Sequence, residues 1–151
     1  MAFLPQPEIH LSLTLTLAQN ILASALAHAR SVNFKPLSIV VLDARAAVVA
    51  AASEDGTSLK RFDVAFNKAH GALAVNLGSR RLGEIAVERP HFIVGAVHAV
   101  GGLVPVAGGV LIRNADGNVI GAVGVSGDTS DNDEAAAIAG IKAVGLVADG
   151  G

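Results

Sequence analysis

The chain contains no cysteine, no tryptophan and no tyrosine. Without cysteine there is no disulfide, no thiolate metal ligand and no cysteine nucleophile. That absence also fits a cytoplasmic location. Charge is sparse, with 11 Lys and Arg against 13 Asp and Glu, 16% of the residues in all and a net of −2. No basic block is present, which argues against nucleic acid as a partner. A monomer needs a charged surface, so this scarcity points to apolar surface hidden in a homo-oligomer. The first residues lack the basic run that opens a signal peptide. The stretch Phe92–Ile112 carries no formal charge, but Pro105 and five glycines cut it into short pieces. No membrane span is expected there.

What the sequence does have is small and apolar. It is 52% hydrophobic, with 17 glycines and five phenylalanines. At 151 residues a chain buries about two-thirds of its unfolded surface, enough for one core. One domain over residues 1–151 is expected, with residues 1–13 an extended lead-in set by Pro5 and Pro7.

The spacing of Leu17, Ile21, Leu22, Ala25, Leu26 and Ala29 predicts a helix over 17–32, with Thr16 and Gln19 as a capping box. Leu37–Leu42 and Val48–Ala52 read as strands joined by a turn at Asp43–Ala46, and a polar loop with Asp55-Gly56 follows. A second long helix is expected over Arg61–Leu77, with Gly78 as its C-cap. Ser79 caps a short helix, and Pro90 opens another. Gly101–Gly109 is a connector with a short strand about Pro105. Val110–Ile112 and Val119–Val125 form a hairpin around Asp116-Gly117, and a helix over 130–148 ends the chain. The order α-β-β-α-(α)-β-β-β-α shows no regular βαβ alternation. It predicts an α+β fold with an antiparallel sheet flanked by helices.

Gly121, Gly124 and Gly127 recur at a spacing of three before the last helix. This is not the Gly-x-Gly-x-x-Gly of a dinucleotide site, and Asp128, Asp131 and Asp133 would repel a pyrophosphate. The same acids do not follow the EF-hand order and are read as helix-capping groups. Ser126 lacks the Gly-x-Ser-x-Gly elbow of a nucleophile and is read as a turn or pocket-lining residue. Arg80-Arg81 is a solvated pair or an anion site.

With these pieces in place, the chain resembles the GlcG/HbpS-like family, a haem-degrading domain family also found as the PduO C-terminal domain. The resemblance runs from Leu15 to about Gly145. It rests on Val40-Val41-Leu42-Asp43-Ala44, Glu54-Asp55-Gly56, Lys68-Ala69, Gly101-Gly102 with Pro105, and above all Gly117–Gly127 followed by Asp133. It implies a profilin-like or PAS-like fold with about five antiparallel strands. It also implies dimers built into octamers, and small-ligand binding, with haem among the ligands. Two positions depart from the family pattern. Arg45-Ala46 replaces a Gly-Gly pair, which predicts a different turn type. His70-Gly71 stands where many relatives carry threonine.

Haem iron needs an axial ligand. Among the internal residues only His10, His28, His70, His91 and His98 remain for that role. His70 is preferred because it neighbours Lys68 in the motif helix; the alternative is a helix histidine hydrogen-bonded to Asp63 or Asn67. His98 is read as a core or interface residue, and His10, His28 and His91 as surface residues. Lys68 is either a ligand-facing amine or half of an ion pair with an acid such as Asp43 or Asp55. Besides a structural or accessory subunit without chemistry of its own, two functions stay open. One is a small-ligand-binding protein whose pocket, near a subunit interface, is lined by Asp43, Asp55, Arg61, Lys68, His70, Gly124, Ser126 and Asp128. The other is a small isomerase, deaminase or lyase acting on a carbonyl or carboxylate metabolite through Lys68 and His70.

Overall fold

The computed structural model describes residues 12–151; the extended lead-in expected over residues 1–13 falls almost wholly outside them, as does His10. Helix α1 spans Leu15–Ser31, strands β1 and β2 span Ser38–Asp43 and Val48–Ser53, and α2 spans Arg61–Val75. Then come α3 (Ser79–Glu88), α4 (Pro90–Val100), β3 (Gly109–Arg113), β4 (Val119–Ser126), α5 (Ser130–Ala143) and β5 (Val147–Asp149). The five strands form one antiparallel sheet in the order β2-β1-β4-β3-β5. The α+β class and the five-stranded antiparallel sheet agree with the expectation.

Some boundaries differ, each for a local reason. The cap of α1 is Thr14, whose side chain accepts from the Leu17 amide, not Thr16. Helix α2 stops at Asn76, which takes the left-handed conformation (φ 57°), so Gly78 is left to begin α3. Pro90 does occupy the first turn of α4. The connector about Pro105 holds no strand; the fifth strand is β5, which pairs with β3 after α5 ends at Ala143.

The sheet has two differently built faces. Along β1, Ile39 and Val41 point to one side and Val40 and Leu42 to the other, as strand alternation requires. The first side is covered by α1 and α5 and holds Ile21, Val123, Val125 and Ile141, all fully buried. The second lies under α2 and holds mostly small groups: Ala65, Ala69, Ala72 and Ala122. Glycine lets α2 come close here. A Cβ on Gly124 would collide with the Ala65 carbonyl, and one on Gly109 with the Lys68 carbonyl. Close backbone approach is thus the reason for glycine at the start of β3 and inside β4.

The first hairpin keeps a left-handed residue without glycine: Ala46 has φ 63°. The missing glycines predict a different turn type. Instead Ala46 adopts a conformation that costs an L-residue roughly 1–2 kcal/mol. Asp43 offsets part of this by accepting the Arg45 and Ala47 amides at 2.9 and 3.1 Å.

Candidate functional site

Helix α2 carries three of the expected site residues, and it sends them to three different environments. Lys68 points into the sheet and is 2% exposed. Its Nζ donates to the Val125 carbonyl and to Asp133 Oδ2, both at 3.0 Å. Asp133 is as deeply buried, and its Oδ1 accepts the Asp128 amide at 2.9 Å. The ion-pair alternative named Asp43 or Asp55; the actual partner is Asp133 in the first turn of α5. Burial pulls the Lys68 pKa down and pushes that of Asp133 up, against their mutual attraction. The pair ties α2 to α5 across the end of β4. Both hydrogen bonds of Lys68 go to protein groups, and its side chain is almost wholly buried.

His70 is half-buried on the outer flank of the same helix. Its Nδ1 lies 2.7 Å from the Gly102 carbonyl. A carbonyl only accepts, so Nδ1 carries the hydrogen, and in the neutral ring Nε2 then holds the lone pair. The expected hydrogen-bond partners Asp63 and Asn67 are not used. The ring stacks on Phe66 at 5.6 Å, and Phe66 in turn lies 6.2 Å from Phe62. These three side chains are four residues apart and form one row along the helix. Gly71 lies against Leu103, which fixes the connector that supplies the Gly102 carbonyl.

Arg61 opens α2, more than two helical turns before His70. Its Nη1 donates to Ser126 Oγ at 3.1 Å, and Ser126 is fully buried at the end of β4. Beside them Asp128 accepts the amides of Lys35 at 2.6 Å and Thr129 at 2.7 Å. It also accepts Asn132 Nδ2 at 2.9 Å. The Lys35 and Thr129 amides and Asn132 hold its carboxyl below the ordinary value. Arg61, Ser126 and Asp128 therefore gather at one end of the sheet. Beside them is a cleft of about 210 Å³ that Arg61 lines with Lys35, Pro36, Gly56, Thr57, Ser58 and Gly127.

The remaining expected residues lie apart. Asp43 is at the far end of β1 from Ser38, the residue that pairs with Ser126. There it lines a separate pocket of about 330 Å³ with Ser12, Leu13, Ala44, Arg45, Val119 and Ile120. Asp55 is an exposed loop residue, and Gly124 lies beneath α2. So the eight residues do not line one pocket in this chain.

Other charged residues have partners that sequence distance conceals. Arg80 pairs with Asp131 and, at 3.0 Å, with Glu134; Arg81, by contrast, pairs within its own helix with Glu84 at 2.7 Å. Asp133 reads in the sequence only as a helix-start acid, because nothing there marks a partner 65 residues away. His98, expected in a core or interface, is exposed on α4, as is His91; His28 packs edge-on against Phe34. Among the described residues no three His, Cys, Asp or Glu converge as a metal site, and no helix is long and apolar enough to cross a membrane.

Fold and site together define an α+β protein whose antiparallel sheet carries one close-packed helix, with a histidine on that helix's outer flank. The chain belongs to the family described as haem degrading protein HbpS-like, whose model matches residues 13–142. Among solved structures it is similar to the PduOC:haem complex, at 22% identity and TM-score 0.81, covering 91% of this chain and 98% of that one. HbpS is similar at 25% identity and TM-score 0.77, with 93% and 94% covered. The Klebsiella pneumoniae protein ORFY is similar at 21% identity and TM-score 0.75, with 93% and 96% covered. No curated protein matches the chain significantly.

Proposed function

We propose that this is a haem-binding protein of the cytoplasm and that His70 would hold the haem iron. The observation that carries this reading is the hydrogen bond from His70 Nδ1 to the Gly102 carbonyl at 2.7 Å. It fixes the tautomer and leaves Nε2 as a donor to iron, as in metal-binding histidines whose other nitrogen is bonded to a carbonyl. Phe66 stacks on the imidazole and Phe62 continues the row, giving an apolar flank beside the ring. The family membership and the haem complex of a similar structure support the same ligand.

In this reading the chain's own residues bind and orient. Phe66 and the Gly102 carbonyl hold the imidazole plane, and Nε2 would be the atom offered to iron. Bound haem supplies redox and oxygen chemistry at iron. In an oligomer, a second copy of the chain would cover the outer flank of α2. Large apolar residues left exposed on β2, α3 and α4, such as Val48, Val87 and Val94, support burial of further surface in an oligomer. Dimers assembling to an octamer are the expected form.

The enzymatic alternative required Lys68 and His70 to act on one substrate. Lys68 is buried against Asp133 and His70 faces outward, so the geometry favours binding.

The test is a haemin titration followed by visible absorbance, with assembly measured by light scattering. A saturable Soret shift near one haem per chain, lost in His70→Ala while the oligomer persists, is the expected result. An unsaturable shift, or one unchanged in His70→Ala, would overturn the assignment.

A further inference from the structure

The cleft beside Arg61 has a composition that the haem reading does not use. Two of its lining residues, Lys35 and Arg61, are cationic, and none is a carboxylate. Among the described residues neither side chain lies within ion-pair distance of an acid. Of the acids close in sequence to the cleft's lining residues, Asp128 and Glu54 are held by hydrogen bonds, while Asp55 is exposed in the loop. Asp128 accepts three hydrogen bonds, and Glu54 is held by Arg30 and the Leu37 amide, both at 2.9 Å. Arg61 is half-buried, and its guanidinium is steered by the buried Ser126 hydroxyl at 3.1 Å. Holding one edge of the fork leaves the other donors oriented before any ligand arrives. Thr57 and Ser58 bring hydroxyl groups to the same cleft, which lies at the start of α2, where no side chain caps the helix.

We propose that this cleft is a binding site for the oxyanion of a small acid, a carboxylate or a phosphate, with Arg61 as the principal contact and Lys35 as the second. Its volume is about 210 Å³. That is smaller than the pockets that enclose drug-sized ligands, so the ligand is a small metabolite. The site is distinct from His70, which lies more than two turns further along α2. Its occupancy is therefore read independently of haem.

The test is a nitrogen–proton NMR titration of the full chain with inorganic phosphate and, separately, with malonate. Ionic strength is held constant with chloride. Saturable shifts at the amides of Gly56, Thr57, Ser58 and Gly127 are expected. Arg61→Gln should weaken binding about tenfold or more, as loss of a charge-assisted contact does. Lys35→Gln, on an exposed side chain, should weaken it by a smaller factor and serves if Arg61→Gln loses its dispersed spectrum. Saturation by phosphate alone assigns phosphate esters, and by malonate alone organic acids; either supports the site. Shifts that do not saturate with either anion, or that persist with unchanged affinity in the folded variants, would overturn it.

Discussion

The two faces of the sheet are built on different principles. The α1/α5 face is a conventional aliphatic core, filled by Ile21, Ile39, Val41, Ile112, Val123 and Ile141. The α2 face is thin. Glycines at 109 and 124 and alanines at 65, 69 and 72 bring the helix close to the strands, and a buried ion pair stands where large side chains would otherwise pack. The first face gains stability by area. The second fixes one helix in a defined place and lets that helix present His70 outward and Arg61 to a cleft.

The sharpest way to break this contrast is Asp133→Ala. It leaves the Lys68 ammonium buried without its partner, and the cost should be about 3–5 kcal/mol in denaturant unfolding. Replacing both, as Lys68→Met with Asp133→Leu, should recover most of that loss, because two charges then need no compensation. A double variant as unstable as the single one would show that the pair is not the helix anchor. On the other face, Ile141→Ala should cost about 2–5 kcal/mol through lost burial and a residual cavity. A cost well under about 1 kcal/mol would mean that face is not the main core.

Asp128 gives a smaller effect with a definite pH signature. Backbone donors hold its folded pKa below the ordinary carboxylate value. Its contribution is therefore present above about pH 4 and is lost as pH falls through the depressed folded value. Partial exposure limits that contribution to about 1 kcal/mol. Melting temperature should fall less steeply below about pH 4 in Asp128→Ala than in the native chain. Parallel curves would remove Asp128 from the account. The smallest change is Ala46→Gly. It relieves a left-handed alanine at some cost in unfolded-chain entropy, for a net gain of about 0.5–1 kcal/mol, or roughly 1–4 °C. A lower melting temperature would contradict the strain at Ala46.

Much of this architecture is legible in local sequence. The 3.6-residue spacing of α1 and α2, Pro90 at a helix start and Asp116-Gly117 in the second hairpin all depend on near neighbours. What escapes depends on distance or brevity. Strand β5 has only three residues, too few for an alternating pattern. Thr16 carries the more familiar spacing to Gln19, and that hides Thr14 as the true cap. In the site, Arg61, Ser126 and Asp128 are expected together and do cluster. Lys68 and His70 are paired in the sequence by an offset of two, yet that offset turns them to different sides of the helix. Asp133 looks complete as a helix-start acid, so no sequence signal asks for a lysine.

The most direct test of the central claim is to titrate haemin into His70→Ala and into the Lys68→Met, Asp133→Leu double variant side by side, each checked for fold and assembly. The double variant should keep the saturable Soret shift and His70→Ala should lose it. The reverse outcome, with both variants folded, would contradict the division of α2 into an outward-facing ligand residue and a buried anchor.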